Sequence, residues 1–441
     1  MNIEQDIDIA VIGLGYVGLT LSIALAEAGL KVTGFEKNKV IVDMTNQGVP
    51  HFKEKGIEVS LRRQVDQKFL FASNDLASLK KSTVFFITVG TPLNEAGEIN
   101  LKSVILAAHQ VGKIMPKNAL IIFRSTMKVG VTRFIIKPIF ESYNKEFFLA
   151  VCPERTLEGN ALQELRSLPQ IIGGFDDKSA ERAAAIFRKI TNKIVMVSSP
   201  ETAEVMKLVD NTYRDVNFAF GNEVAKLCNE IEGVNSSEVI RLGKMGYERT
   251  NVALPGLVGG PCLSKDPHIL SQSASEMGVI MEITNSARKI NETMADQVVD
   301  FIIANVQTDK KLSITIAGFA FKGKPETDDL RGSISIKILN AFKTKLPDSK
   351  LKIFDPVVDV KVMKQYCMDC YSNFDKSIKK TDVLIICNNH EFFSSNNLQS
   401  MLKDNNRIKM VYDFWSNFDH LNESQKNKLN YVTYGTHWRF K

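Results

Sequence analysis

Alternation is what most constrains the fold of this chain. Short apolar runs at 7–13, 31–36, 84–89, 120–124 and 148–152 read as strands, and amphipathic stretches such as 18–28 lie between them. Strands that alternate with helices pair in parallel, and a parallel sheet needs cover on both faces. The pattern breaks near residue 201. From there to 306 the chain is mainly helical, with amphipathic runs at 201–232 and 282–304 separated by the loop Leu254-Pro-Gly-Leu-Val-Gly-Gly-Pro-Cys262. Alternation then resumes, with strands expected at 312–318, 351–354, 383–387 and 409–413 and a helix at 334–346. The expected fold class is α/β. Two Rossmann-like doubly wound domains, 1–200 and 307–441, are joined by a central, mainly helical domain, 201–306, that carries the cysteine loop.

Gly13-Leu-Gly15-Tyr16-Val17-Gly18 follows the first strand and opens the first helix. The first glycine permits a tight turn, the second lets a pyrophosphate approach the backbone, and the third lets helix pack on strand. The helix N-terminus adds unpaired N–H groups and a partial positive charge. Such a motif alone is weak. Here a second strand ends in Glu36, where an acidic side chain can accept hydrogen bonds from both ribose hydroxyls and repel a 2′-phosphate. That favours NAD over NADP, although the neighbouring Lys37 is a cation that would tolerate a phosphate.

Composition limits the other possibilities. With 441 residues, 44% hydrophobic and 24% charged, the chain has the make-up of an ordinary globular protein of two or three domains. Its net charge of +6 comes from scattered lysines, so a solvated surface is expected and nucleic acid is not. An excess of base also suits a doubly charged pyrophosphate substrate. The opening MNIEQDIDIAVIGLG lacks the basic region of a signal peptide, and no apolar run reaches the roughly 20 residues that span a bilayer. A cytoplasmic protein with no membrane partner is expected. Cys367-x-x-Cys370 with Cys387-x-x-His390 has the spacing of a zinc site, but Cys387 ends an apolar strand, and no metal is expected.

The segment Gly259-Gly-Pro-Cys262-Leu-Ser-Lys265-Asp266 sets a cysteine behind two glycines and ahead of a lysine and an aspartate that can tune a thiol and its oxyanion. Taken alone, it fits a structural cysteine as well as a catalytic one. Its context is more specific. The fingerprint, Gly90-Thr91-Pro92, Ser125-Thr126-Met-Lys-Val-Gly130, Pro153-Glu154-Arg155, Lys207-Leu-Val-Asp-Asn211, the Cys262 loop and Phe321-Lys322 occur in that order. This set resembles the UDP-glucose/UDP-mannosaminuronate dehydrogenases, nucleotide-sugar 6-dehydrogenases of surface polysaccharide biosynthesis, from about residue 7 to about 415.

The resemblance implies four-electron oxidation of a sugar CH2OH to the acid with NAD. Cys262 would hold the substrate as thiohemiacetal and then as thioester. Lys207 and Asn211, four apart on a helix, would stabilise charge on the reacting oxygen, and Asp266 would act with Lys207 as base. Thr126 and Glu154 would position the hydrolytic water. Either carboxylate would need burial to be an effective base at neutral pH. Cofactor contacts are implied for Gly13, Gly15, Tyr16, Val17, Gly18, Glu36, Lys37, Thr91, Thr126, Glu158, Lys265 and Arg331. Substrate contacts are implied for Glu154, Arg155, Leu157, Lys207, Asn211, Asn251, Gly259, Phe321 and Lys322. A homodimer through the central helical domain is expected.

Two signals conflict over the sugar. UDP-glucose enzymes carry Pro-Glu-Phe-Leu where this chain has Pro153-Glu-Arg155-Thr-Leu157, a form commoner in enzymes of UDP-N-acetylhexosamines. An arginine buried without its acceptor would favour a substrate that offers an acetamido oxygen. The Lys265 loop, however, is of the UDP-glucose type, so UDP-glucose stays open as the alternative. A 3-hydroxyacid or 6-phosphogluconate type of dehydrogenase would need no cysteine, and a non-catalytic NAD-binding scaffold would not need Cys262, Lys207 and Glu154.

Overall fold

The structure, a computed structural model, describes residues 8–306, 311–394, 402 and 407–440. The chain forms two compact units, one running up to Asp210 with His268–Ile280, the other Asn211–Pro267 with the residues from Met281 onward. Residues of the helical stretch 201–306 contribute to both.

The first unit is built on eight strands: β1 (Asp8–Ile12), β2 (Lys31–Phe35), β3 (Leu70–Ser73), β4 (Val84–Ile87), β5 (Ala119–Phe123), β6 (Phe147–Val151), β7 (Gln170–Gly174) and β8 (Ile194–Met196). They lie in the order β3-β2-β1-β4-β5-β6-β7-β8. Successive side chains alternate between the faces. Ile9, Val11, Val84, Phe86, Leu120 and Ile122 join one buried cluster, while Ala10, Ile12, Phe85, Ile87, Ile121 and Phe123 join the other. Each fully buried Val, Leu, Ile or Phe side chain among these contributes about 1.5–3 kcal/mol. Because β1 pairs with both β2 and β4, the winding reverses at β1, the point where ligands bind in sheets of this kind.

One strand departs from the expected parallel sheet. β7 runs antiparallel to β6, with Val151 opposite Gly173. The link between them is loop from 152 to 160 and then the short helix Ala161–Ser167, so no full crossover helix carries the chain back across the sheet.

The second unit holds a six-stranded parallel sheet: β9 (Ser313–Ala317), β10 (Lys350–Phe354), β11 (Cys370–Tyr371), β12 (Val383–Ile386), β13 (Met410–Asp413) and β14 (Tyr431–Thr433). Their order is β11-β10-β9-β12-β13-β14. Helix Glu282–Asn305 lays Met294, Val298 and Ile302 on Ile314 and Ile316, while Leu384, Ile386 and Val411 fill the opposite face. Among the described residues, no helix is long and apolar enough to cross a membrane.

Candidate active site

At the end of β1 the chain turns at Gly13, whose φ is +92°. The Thr88 hydroxyl donates to the Gly13 carbonyl at 2.7 Å, and helix Tyr16–Glu27 starts at once. A Cβ on Gly18 would lie 1.8 Å from the Gly13 carbonyl oxygen, so packing of helix on turn demands glycine there. A Cβ on Gly15 would meet nothing within 4 Å. The protein's own packing therefore does not account for Gly15, whereas a pyrophosphate lying against the helix N-terminus does.

Beside this turn is a cavity of about 260 Å³ lined by Gly13, Gly15, Glu36, Lys37, Val89 and Gly90. Glu36 is held in place by its backbone neighbours: one carboxylate oxygen accepts the Leu14 N–H at 3.0 Å and the other the Asn38 N–H at 3.0 Å. A fixed carboxylate at the end of β2, next to an open turn, fits the ribose end of a dinucleotide.

The Tyr16 side chain is engaged elsewhere. Its hydroxyl donates to the Glu54 carboxylate, which also accepts the N–H groups of Gly159 at 2.7 Å and Ala161 at 2.9 Å. Burial first, and then Glu54, push the phenol well above its ordinary range, so Tyr16 remains a proton donor. The pair ties the glycine turn to loop 153–160. Lys53-Glu54-Lys55 reads as a charged surface turn in sequence, and nothing in that pattern signals the role.

β5 and β6 pair in parallel with Phe123 opposite Val151, so Ser125-Thr126 and Pro153-Glu154 leave the sheet at the same end. The Thr126 carbonyl accepts the Thr91 hydroxyl at 2.8 Å, which brings these two expected site residues together. Glu154 is buried and forms an ion pair with Arg124 Nη2. Its Oε1 accepts the N–H groups of Arg155 at 2.8 Å and Thr156 at 2.9 Å. Burial pushes the Glu154 carboxyl up, but the Arg124 charge and these donors outweigh it and hold the group below its usual value. The elevated carboxyl that a neutral-pH base requires is thus not what burial produces here.

Arg155 calls for a correction. A buried arginine lacking an acceptor was the expectation, yet its guanidinium is half-exposed and its Nε meets Asp210 Oδ2 at 2.9 Å. Leu157 and Glu158 are half-buried in the same loop, and the Leu157 N–H donates to Glu164 at 2.7 Å. Lys207 lies on helix Pro200–Cys228, half-buried, one turn before Asn211.

In the second unit, Gly259 and Gly260, just ahead of Cys262, approach the loop before helix Ile334–Lys345. The Gly260 N–H donates to the Gly332 carbonyl at 3.0 Å, and a Cβ on Gly259 would stand 2.3 Å from that oxygen. A Cβ on Gly260 would meet the Phe321 ring at 2.5 Å, while Lys322 Nζ lies 5.3 Å from the centre of that ring. Both glycines are therefore required by close approach within the protein. Cys262 is exposed, whereas the other five cysteines are buried or half-buried. Burial pushes two of those, Cys152 and Cys387, up to about 12.

Asp266 is fully buried, with Asn211 Nδ2 on one oxygen at 2.5 Å and Lys265 Nζ on the other at 2.8 Å. Arg331 pairs with Asp329 at 2.6 Å. Asn251 is exposed, and its carbonyl accepts Asn217 Nδ2 at 2.8 Å. Sequence reasoning missed the support beneath the cysteine loop. Arg288 donates to the Leu263 carbonyl at 2.9 Å and to Asp215 at 2.5 Å, and Asn222 accepts the Gly256 N–H at 2.9 Å. Among the described residues, no group of three or more His, Cys, Asp or Glu is placed to hold a metal ion.

Domain models of the UDP-glucose/GDP-mannose dehydrogenase family match nearly the whole chain: the NAD binding domain at residues 7–191, the central domain at 201–293 and the UDP binding domain at 315–420. A UDP-N-acetyl-D-mannosamine dehydrogenase of Pyrococcus horikoshii is 32% identical over 416 residues, 92% of this chain and 94% of the relative. One from Methanococcus maripaludis is 33% identical over 396 residues, covering 88% and 87%. Among solved structures, UDP-D-ManNAc dehydrogenase from Pyrococcus horikoshii superposes with a TM-score of 0.87 at 29% identity, covering 98% of this chain and all of the other.

Proposed function

Because this chain belongs to the UDP-glucose/GDP-mannose dehydrogenase family, and so is an NAD-dependent oxidoreductase of nucleotide sugars, we propose that its substrate is a UDP-N-acetylhexosamine such as UDP-ManNAc or UDP-GlcNAc, oxidised at C6 to the uronic acid. The observation that carries the choice of sugar is the pair of relatives with UDP-N-acetyl-D-mannosamine dehydrogenase activity in their names, each aligned over about nine-tenths of this chain. Arg155 is a weaker guide than its sequence suggested, since Asp210 already satisfies part of it.

When bound, NAD would supply the oxidising power, as hydride acceptor in each of two rounds of oxidation at C6. Gly13, Gly15, Val17, Gly18 and Glu36 would hold it, with Thr91, Thr126, Glu158, Lys265 and Arg331 toward its reactive end. Lys207 and Asn211 stabilise the oxygen on C6 as charge develops. Asp266, gripped by Asn211 and Lys265, orders both donors and serves with Lys207 in removing the first hydroxyl proton. The thiolate of Cys262 adds to the aldehyde carbon, and the second oxidation leaves a thioester. Thr126 and Glu154 direct a water whose oxygen bonds to the acyl carbon as the C–S bond breaks, giving the carboxylate, a proton and the thiol. Arg155, Leu157, Asn251, Gly259, Phe321 and Lys322 are assigned to the UDP-sugar.

The test is NADH production with UDP-glucose, UDP-GlcNAc, UDP-ManNAc and UDP-GalNAc. If UDP-glucose has the highest kcat/KM, the acetamido reading is wrong and the Lys265 loop was the better indicator.

The active form is proposed to be a cytoplasmic homodimer. On helix Pro200–Cys228, Tyr213, Phe220 and Leu227 recur every seven residues and are 56%, 53% and 63% exposed. An apolar seam of that period suits a second copy of the same helix. Phe220→Glu should give a monomer by analytical ultracentrifugation; an unchanged dimer would place the interface elsewhere.

A further inference from the structure

Arg124 has no place in the reading above, yet it is the most deeply enclosed cation beside the candidate site, with its side chain 1% exposed. It follows the last residue of β5. One guanidinium nitrogen, Nη1, donates to Gln170 Oε1 at 2.9 Å and to the Cys152 carbonyl at 3.3 Å, while Nη2 meets Glu154 Oε2. The guanidinium also lies 5.2 Å from the centre of the Phe187 ring. A planar fork held at three points cannot swing, so the carboxylate it grips cannot swing either.

An ionised carboxylate has about four acceptor positions. Oε1 of Glu154 uses two on the N–H groups of Arg155 and Thr156, and Oε2 uses one on Arg124. A single acceptor position remains, on Oε2. We propose that Arg124 is a positioning residue that keeps Glu154 ionised and leaves it one fixed acceptor position, so that Glu154 aims the hydrolytic water rather than storing a proton. The inference rests on the reading that Glu154 serves hydrolysis of the acyl-enzyme.

The other groups around Glu154 reinforce this state. Arg155 turns its guanidinium to Asp210, and the buried Cys152 thiol, pushed up to about 12, is neutral. Arg124 is therefore the cation that acts on Glu154, and together with the Arg155 and Thr156 N–H groups it outweighs burial and holds the carboxyl below its usual value. Without it, a carboxyl so enclosed would be driven upward toward neutrality.

The experiment compares wild type, Arg124→Met, Arg124→Lys and Glu154→Gln from about pH 5 to about pH 8, a range above the titration of an ordinary carboxyl and across that of a burial-raised one. Two readouts are needed. Infrared difference spectra against Glu154→Gln report whether the Glu154 carboxyl is protonated, with no substrate present. Stopped-flow NADH bursts and intact mass, with NAD and the best UDP-sugar of the panel, report acyl-enzyme on Cys262.

In wild type the protonated-carboxyl band assigned to Glu154 should be absent throughout. In Arg124→Met it should be present at the acid end and fade as pH rises, with acyl-enzyme accumulating over the same range. Arg124→Lys, which keeps the charge, should restore the wild-type pH profile at a lower rate. A Glu154 band in wild type at neutral pH would overturn the proposal, and that measurement needs no Arg124 variant to fold. So would an Arg124→Met profile parallel to wild type with no band. If Glu154→Gln accumulates no adduct, the hydrolytic role fails instead, while the band still decides whether Arg124 controls the charge.

Discussion

Asn211 donates its side-chain amide to Asp266 at 2.5 Å, within a carboxylate that is fully buried. Each stands in a motif that the sequence marks, but they are 55 positions apart and nothing in the sequence shows that they meet. Removing the donor leaves a buried acceptor short of a partner, which costs about 1–3 kcal/mol. Asn211→Ala should therefore lower Tm as well as kcat, and Asp266→Asn should do the same. The double variant should lose less than the sum of the two, because they share one interaction. Strict additivity of the Tm changes would mean that the two side chains do not cooperate.

Cys262→Ser should abolish steady-state turnover while NAD still binds. Serine is a poorer nucleophile than a thiolate, and its ester hydrolyses less readily than a thioester. Isothermal titration with NAD and a steady-state NADH assay check both halves. Turnover near the wild-type rate would rule out the covalent route.

Glu36→Ala should narrow the preference for NAD over NADP, because it removes the ribose acceptor and the charge that repels a 2′-phosphate. The structure adds a second consequence. Glu36 also accepts the N–H groups of Leu14 and Asn38, so the variant should weaken binding of both cofactors. An unchanged ratio of kcat/KM for NAD and NADP would show that Glu36 is not at the ribose.

Asp413, fully buried at the end of β13, gives a pH signature in the second unit. Burial pushes its carboxyl up from 3.8 to about 6, against the donors Trp415 N–H, Tyr431 hydroxyl and Asn417 amide. Between those two values the folded chain binds more protons than the unfolded one. The associated stability is present below about 3.8 and is lost as pH rises through about 6. Asp413→Asn, which cannot titrate, should flatten that part of the Tm–pH curve relative to wild type. Parallel curves for the two proteins would show that Asp413 does not titrate in this range.

Alternation and glycine spacing made much of the architecture legible in the sequence. The strands at β1, β2, β4, β5, β6, β9, β10, β12 and β13 each coincide with an apolar run that local composition is enough to mark. Strands β8, β11 and β14 have only two or three residues, too short for a period to register, and β3 (Leu70–Ser73) is not a continuous apolar run, so pairing with a neighbour defines all four. The antiparallel turn of β7 depends on a missing crossover, which no pattern within the strand encodes.

The candidate site divides along the same line. Gly13, Gly15, Gly18, Glu36 and Cys262 are marked by the residues next to them, because a tight turn or a thiol behind glycines is a local requirement. Arg124, Glu54, Asp210 and Arg288 carry no local mark. Their partners Glu154, Gly159, Arg155 and Leu263 are 30, 105, 55 and 25 positions away or are reached only across a folded strand or helix, so the chain had to fold before burial could give these charges a role.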